Sequence, residues 1–334
     1  MLTPSVAEGT PSEGVDFVVE SEMGPITSRV FRAADGSTDR VAYALEGMDA
    51  PADYSSWERN TDVAERLTAA NVNVVMPIGG RATFYSDWLA PNSLNSFDCL
   101  GSTGSVDGPA SPNGRTDFGS SSANGRTRLV WETFLTRDLP AALTEKYGFS
   151  SVRNGIFGVS MGGVGALNLA AHHPNQFSFV GALSSYPNIS APGMPEAIRI
   201  ALAERGSIYN VDCMWGAPWN TQWRLHDPFI SAPALIAANT RIYIGGGTGI
   251  PAPSDESSGS SDMSAAGDLS LGITLEVLSH LNNLSYQVRL GTLGYGNVAY
   301  DLWPIGIHSW PYWDEHVNRM LPDLIDHIGP YPRR

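Results

Sequence analysis

The sequence has few cysteines, few basic residues and no long apolar run, and each shortage narrows the possible functions. Its 334 residues include two cysteines, with no CxxC pair and no His/Cys cluster at zinc spacing, so no metal site is expected. Lysine and arginine number 20 against 34 acidic residues, and the net charge of −14 would repel nucleic acid and anionic membranes. No apolar stretch approaches the roughly 18 residues of a membrane span. With 42% apolar residues, a soluble globular protein is expected.

The two cysteines, Cys99 and Cys213, leave two interpretations open. They are either two buried thiols or one disulfide that ties a long loop to the body of the protein, as an oxidising compartment permits. The polar N-terminus has neither the basic nor the apolar segment of a signal peptide. Either the protein stays in the cytosol, or an export signal has been removed ahead of Met1.

Beyond residue 20, short apolar runs alternate with helical patterns. Apolar residues recur at spacings of three or four over 131–147 and 313–328, which predicts two helices, the second bent or interrupted at Pro322. Seven runs bounded by turn residues predict strands: 26–33, 40–46, 71–78, 154–159, 179–185, 240–246 and 285–291. Strands that alternate with helices predict an α/β fold, with a mostly parallel central sheet and helices on both faces.

A single catalytic domain over residues 21–330 is the interpretation of this order, preceded by a flexible N-terminal arm at 1–20. Two long polar loops, 92–127 and 247–268, interrupt the alternation. Strand and helix patterns resume in the same style after each loop, so neither loop is interpreted as an interdomain linker.

The sharpest local pattern is the G-x-S-x-G string at 158–162. The apolar run 154–159 leads into it and a helical pattern follows, which is the strand–turn–helix setting of a nucleophile elbow. The alternative is an ordinary glycine-rich turn. The elbow predicts an α/β-hydrolase in which Ser160 is the nucleophile and the Met161 amide is one oxyanion-hole donor.

Seven histidines compete for the role of general base. His308 lies in a Gly/Pro-rich loop after the last strand pattern and before the terminal helix, where α/β-hydrolases carry their histidine. The others lie just after the elbow, on helical patterns, or in an irregular stretch before the last strands: His172, His173, His226, His280, His316 and His327. His308 is therefore the predicted base.

The acid of a triad stays open on the residues alone. The loop after the run 240–246 offers Asp255, Glu256 and Asp262. Glu276 lies on an amphipathic helical pattern, where a glutamate is ordinarily a surface residue.

Six strings spread over the chain resemble the secreted mycolyltransferases of mycobacteria and corynebacteria, the family of the fibronectin-binding antigen complex. The strings are FYSDW (84–88), WETFLTRDLP (131–140), GVSMGG (158–163), CMWG (213–216), ANTRIYI (238–244) and HSWPYW (308–313). The resemblance implies a triad of Ser160, Glu276 and His308, because the string Leu-Glu-Val-Leu at 275–278 matches the setting of the family's acid.

The resemblance also implies a second oxyanion amide, from Met48, and a sugar-binding site. Its expected side chains are Glu46, Asn60, Ser309 and Trp310. Two positions depart from the family: Glu46 stands for an aspartate, which lengthens its reach, and Asp49 stands for an arginine, which reverses a charge where a trehalose hydroxyl would be held.

The reaction that the resemblance implies moves a mycolyl group, a long-chain 2-alkyl-3-hydroxy acyl group, from trehalose monomycolate to an alcohol through an acyl-serine. The acceptor would be a second trehalose ester, arabinogalactan or a protein hydroxyl, and neither a cofactor nor a metal is needed. A monomer in the cell envelope is expected. The alternatives are a carboxylesterase, which uses water as acceptor, and a matrix-binding protein without catalysis.

Overall fold

Eight strands in the described part of the chain form one sheet at the centre of the fold. A computed structural model describes residues 13–93, 99, 128–204, 209–253, 255 and 263–330. The strands are β1 (Val15–Ser21), β2 (Gly24–Phe31), β3 (Val41–Leu45), β4 (Asn73–Pro77), β5 (Asn154–Val159), β6 (Phe177–Leu183), β7 (Arg241–Gly246) and β8 (Val298–Leu302). Their order is β1-β2-β4-β3-β5-β6-β7-β8, with β2 antiparallel to both of its neighbours and the other pairs parallel. The predicted mostly parallel sheet is confirmed.

Helices cover both faces of this sheet. They are α1 (Ser56–Asn60), α2 (Val63–Ala69), α3 (Trp131–Thr133), α4 (Leu139–Tyr147), α5 (Met161–His172), α6 (Met194–Glu204), α7 (Val211–Trp215), α8 (Thr221–Leu225), α9 (Pro228–Ala237), α10 (Met263–Thr292) and α11 (Trp310–His327). A π-helical turn, Phe134–Asp138, joins α3 to α4. One apolar core lies under α1, α2 and α11, and the other lies under α3, α4, α5, α9 and α10. No helix in the described part of the chain combines the length and hydropathy of a membrane span.

Six of the seven predicted strands are confirmed, and the run 285–291 is a correction. It belongs to α10, where Tyr286 and Leu290 are buried four residues apart and Val288 between them is exposed. Apolar and polar residues alternate over this short run, but burial on one side of a helix decides its conformation. The last strand is β8, whose half-buried residues gave a weaker apolar signal.

The N-terminal arm and two boundaries also need correction. Residues 15–20, expected in the arm, lie in β1 because they pair in register with β2, while residues 1–12 lie outside the described residues. The final part of the expected loop 247–268 already belongs to α10, and most of the loop 92–127 lies outside the described residues. Pro322 is exposed and does not interrupt α11, because buried residues on both sides of it hold the helix against the sheet.

A disulfide joins Cys99 to Cys213 in α7, and it closes a loop of 114 residues. Of the two interpretations of the cysteines, the disulfide is therefore the one that the structure contains. It attaches Cys99 to α7.

We expect the Cys99→Ala/Cys213→Ala variant to lose about 2–5 kcal/mol of unfolding free energy, because removing the cross-link frees a long loop in the unfolded chain. Urea denaturation of the variant and of reduced and oxidised wild type measures the loss. An unchanged denaturation midpoint in both the variant and the reduced protein would contradict it.

Candidate active site

Ser160 occupies a strained turn between β5 and α5. Its backbone has φ 55° and ψ −121°, a left-handed conformation that a residue other than glycine rarely adopts. The turn needs glycine on both sides. A Cβ at Gly158 would lie 2.5 Å from the carbonyl carbon of Gly162, and one at Gly162 would lie 2.4 Å from the carbonyl oxygen of Glu46. The predicted strand–turn–helix at the G-x-S-x-G string is confirmed.

The turn presents Ser160 at the N-terminus of α5. Its backbone N–H donates to the Leu183 carbonyl at 2.8 Å, and its own carbonyl accepts from the N–H of Gly163 at 3.1 Å. These bonds fix the backbone on both sides of the nucleophile. Because the first amides of a helix have no partner within the helix, the Met161 N–H is available to an incoming oxyanion.

His308 and Glu276 form a buried pair beside this turn. The imidazole Nδ1 lies 2.8 Å from Glu276 Oε2, and both side chains are almost completely buried. The other carboxylate oxygen, Oε1, accepts from the Gly247 N–H at 2.7 Å and from the Ser184 hydroxyl at 2.8 Å. Burial alone would raise the pKa of Glu276, but the hydrogen bond and charge of His308, with these two donors, hold it below its ordinary value. The carboxylate is therefore ionised beside the imidazole Nδ1.

Ser184 and Trp313 support this pair, and sequence reasoning missed both. The indole N–H of Trp313 donates to Ser184 Oγ at 3.0 Å, and the indole ring stands edge-on to the imidazole of His308, with ring centroids 5.0 Å apart. Ser184 follows β6 directly and has φ 46°. Ser184 could have been identified from the sequence as a serine that directly follows a buried strand, because binding sites in parallel sheets form at the carboxyl ends of the strands.

Asp255, the rival acid, is engaged elsewhere. Its carboxylate accepts from the Tyr312 hydroxyl at 2.6 Å and from the Ala252 N–H at 2.8 Å. Burial and the neighbouring Asp255 raise the pKa of Tyr312 to about 12, so the phenol stays protonated and donates. Glu256 and Asp262 lie outside the described residues.

A cavity of about 660 Å³ brings the predicted catalytic groups together. Ser160, His308, Met48 and Met161 all line it. No hydrogen bond joins the Ser160 hydroxyl to the imidazole of His308 among the described residues, an arrangement common in enzymes without substrate. Away from Ser160 the wall is mainly apolar and comes from α6 and α10: Met194, Ile198, Leu269, Leu271, Leu275 and Leu278.

Three of the four expected sugar contacts line the cavity: Glu46, Ser309 and Trp310. Glu46 also holds the start of α1, since its Oε1 accepts from the Ser56 N–H at 2.6 Å. Burial raises the pKa of this carboxyl, and the donors around it oppose the rise. Asn60 does not line the cavity. It is exposed at the end of α1, where its amide donates to the Ser56 carbonyl at 2.8 Å.

The charge reversed at Asp49 is accompanied by a nearby arginine. Asp49 lines the cavity, and its carboxylate lies 3.8 Å from the guanidinium of Arg81. Both side chains are about half exposed, so solvent screens the pair and it contributes little to stability. The pair matters for its position, because it holds the guanidinium of Arg81 beside Asp49, which lines the cavity.

The other six histidines do not line the cavity. His172 and His173 both contact the carboxylate of Glu132, at 3.0 and 2.8 Å, and His316 contacts Asp301 at 2.8 Å. Within the described residues, no group of three or more His, Cys, Asp or Glu side chains is arranged to hold a metal ion.

Comparisons with known proteins place the chain among esterases and acyltransferases. The esterase family model matches residues 103–324. The chain is 32% identical to the diacylglycerol acyltransferase/mycolyltransferase Ag85B of Mycobacterium leprae, over 97% of this chain and 86% of the relative. It is 32% identical to the Ag85C enzyme of Mycobacterium avium, over 86% of this chain and 71% of the relative.

Solved structures share the α/β-hydrolase fold. Mycobacterium tuberculosis MPT51 (FbpC1) superposes with a TM-score of 0.73 at 24% identity, covering 95% of this chain and 99% of that one. The Staphylococcus aureus fluorophosphonate-binding serine hydrolase FphF gives 0.62 at 13% identity, covering 94% and 99%.

We expect Ser184→Ala to lower kcat about 10- to 100-fold with little change in KM, because Glu276 loses a charge-assisted hydrogen bond that positions it while the cavity keeps its shape. Steady-state hydrolysis of a water-soluble short-chain ester measures both constants, and Ser184→Thr should restore most of kcat. The matched control is Ser178→Ala, which removes a hydroxyl bonded to the His327 carbonyl near the start of β6. Equal kcat values for Ser178→Ala and Ser184→Ala would refute a positioning role.

Proposed function

Because the chain belongs to the Ag85 family of diacylglycerol acyltransferases/mycolyltransferases, we propose that it transfers a mycolyl group from trehalose monomycolate to an alcohol through an acyl-Ser160 intermediate. The observation that carries the proposal is the meeting of the Ser160 elbow and the buried His308–Glu276 pair at one cavity. Membership of this family makes the chain an enzyme of the serine acyltransferase and esterase type. The triad and the substrates are the proposed part.

In the first half-reaction, His308 accepts the Ser160 hydroxyl proton as Oγ attacks the ester carbonyl carbon. Glu276 accepts from Nδ1 and stabilises the imidazolium that forms. The amides of Met161 and Met48 donate to the oxyanion. The carbon–oxygen bond to trehalose then breaks, the imidazolium protonates the leaving oxygen, and the acyl group stays on Ser160.

The second half-reaction repeats these steps with an acceptor. His308 removes the proton of the acceptor hydroxyl, whose oxygen attacks the acyl-serine carbonyl, and Ser160 leaves with that proton. Transfer exceeds hydrolysis only where the acceptor outcompetes water. The apolar wall from α6 and α10 supports binding of a long acyl chain next to Ser160.

The polar end of the cavity indicates the class of acceptor. Its carboxyl groups, Glu46 and Asp49, offer oxygen atoms that accept hydrogen bonds from hydroxyl groups, and the half-exposed carboxylate of Asp49 repels anions. Ser309, at the N-terminus of α11, adds a hydroxyl. A neutral polyol such as a trehalose ester or arabinan suits this lining better than a phosphorylated acceptor does. The disulfide supports a location in an oxidising compartment, and we place the enzyme in the cell envelope.

Hydrolysis is the second candidate function, favoured by the esterase family match over residues 103–324. The same acyl-serine would then react with water, and the donor would yield free acid. Binding to matrix proteins without catalysis has less support, because a buried, ionised Glu276 is costly unless it serves a purpose such as orienting His308.

A fluorophosphonate should label the wild type covalently, and Ser160→Ala should abolish the label because the probe reacts with the activated hydroxyl. Glu276→Gln should lower kcat by about 10²- to 10⁴-fold, since the amide no longer stabilises the imidazolium. Labelling and kcat on a water-soluble ester measure these effects. Asp255→Asn is the control and should stay within about twofold of wild type. A large loss in Asp255→Asn with a normal Glu276→Gln would reassign the acid.

Incubation with trehalose monomycolate alone should give trehalose dimycolate and free trehalose in equal amounts, because one molecule of donor also serves as acceptor. Chromatography and mass spectrometry identify the products. Adding arabinan or a serine-containing peptide to parallel reactions ranks the three acceptor classes. Release of free mycolic acid in every reaction, without any new ester, would establish hydrolysis instead.

A further inference from the structure

The exposed face of α10 has no charged residue over most of its length. From Ser270 to Thr292, its exposed residues are all uncharged: Ser270, Thr274, Val277, Leu281, Leu284, Val288, Gly291 and Thr292. The two charged residues of this segment are not among the exposed ones: Glu276 is buried and Arg289 is partly buried. Glu276 is buried against His308, and Arg289 lies over the Phe229 ring and donates to the Phe229 backbone carbonyl. An exposed helix face without charged residues is unusual in a chain with a net charge of −14.

Four large apolar side chains form a stripe along this face, which we call the apolar stripe: Val277, Leu281, Leu284 and Val288. Spacings of four, three and four residues place them on one side of the helix, over about 17 Å. Ser279, Tyr286 and Leu290 are buried on the opposite side. The core therefore does not explain the stripe.

The stripe is continuous with the wall of the cavity. Leu275 and Leu278 of the same helix line the cavity on either side of Val277. Next to Val277 lies the segment at Gly249, and the following residue, Ile250, is exposed. The Ile250 carbonyl accepts from the Gly306 N–H at 2.8 Å, two residues before His308. The exposed apolar surface thus leads from α10 to the loop that carries the catalytic base.

We propose that the apolar stripe docks the enzyme on the surface of a neutral lipid layer, so that an acyl chain passes from the layer into the cavity along α10. The proposal rests on the proposed function, which gives the enzyme a donor that resides in lipid. An uncharged helix face suits shallow insertion among lipid head groups, because no ionised group has to be desolvated.

A second copy of the chain fits the stripe less well. A stable dimer interface uses about 20–30 residues from each partner, whereas the stripe and Ile250 supply five apolar side chains. Two copies would also bring together two chains of net charge −14. The same charge disfavours an anionic lipid surface, so the layer that the stripe fits is neutral.

Flotation with phosphatidylcholine vesicles tests the docking without any substrate. We expect wild type to float with the vesicles. The partition coefficient of Leu281→Gln/Val288→Gln onto the vesicles should be lower by about tenfold or more, because two apolar side chains no longer enter the layer. The matched control is Val152→Gln/Leu225→Gln. It also replaces one valine and one leucine, which are 53% and 56% exposed against 65% for Val288 and 58% for Leu281. The control should float like wild type.

Two further measurements sharpen the test. Replacing part of the phosphatidylcholine by phosphatidylglycerol should weaken flotation of the wild type, and added salt should restore it. Turnover of long-chain acyl trehalose in vesicles should fall about tenfold or more in Leu281→Gln/Val288→Gln, while turnover of a water-soluble short-chain ester stays at the wild-type value.

The possible outcomes separate docking from catalysis. Equal flotation of wild type and Leu281→Gln/Val288→Gln, or no flotation of either, would overturn the proposed docking. A wild type that sediments as a dimer, with this variant as a monomer, would make the stripe a self-association surface instead and would also overturn it. Failure of the proposed function would show differently, as a wild type that floats but does not turn over the short-chain ester.

Discussion

The site depends on one buried carboxylate. Glu276 is ionised inside the protein, and an isolated charge there would cost several kcal/mol. Its hydrogen-bond partners come from three places: Ser184 at the end of β6, Gly247 after β7, and His308 in its loop. Trp313 of α11 in turn donates to Ser184. All meet at the carboxyl ends of parallel strands, so satisfying this charge fixes the relative positions of the elements that build the cavity.

The elbow adds a second constraint at the same edge of the sheet. Gly158 and Gly162 allow α5 to start in contact with β5 and with the backbone that follows β3, and no side chain fits between them. Gly246, at the end of β7, likewise leaves no room for a side chain beside Glu276, since a Cβ there would lie 3.1 Å from Glu276 Oε1. Close packing of backbone thus sets how near Ser160 and the His308–Glu276 pair can approach each other.

Local patterns in the sequence were sufficient to nominate Ser160 and His308, which the structure places at one cavity, because a tight turn and a Gly/Pro-rich loop have characteristic residues. Glu276 was nominated through a family resemblance, since a helix pattern does not reveal that a glutamate is buried against a histidine 32 residues away. For Asn60 the structure shows a contact other than the expected one. A matching residue type was assigned to the sugar site, but its amide bonds to the backbone of α1. Ser184 acts through a tertiary contact with Trp313, 129 residues away, which no local pattern encodes.

The disulfide has a practical consequence for spectroscopy. Cys99 and Cys213 are the chain's two cysteines and are bonded to each other, so the native protein offers no reactive thiol. A cysteine introduced at a solvent-facing position of α10 or of another helix would be the sole attachment point for a maleimide dye or a nitroxide. Fluorescence quenching and electron spin resonance could then report the orientation of individual helices without first engineering a cysteine-free background.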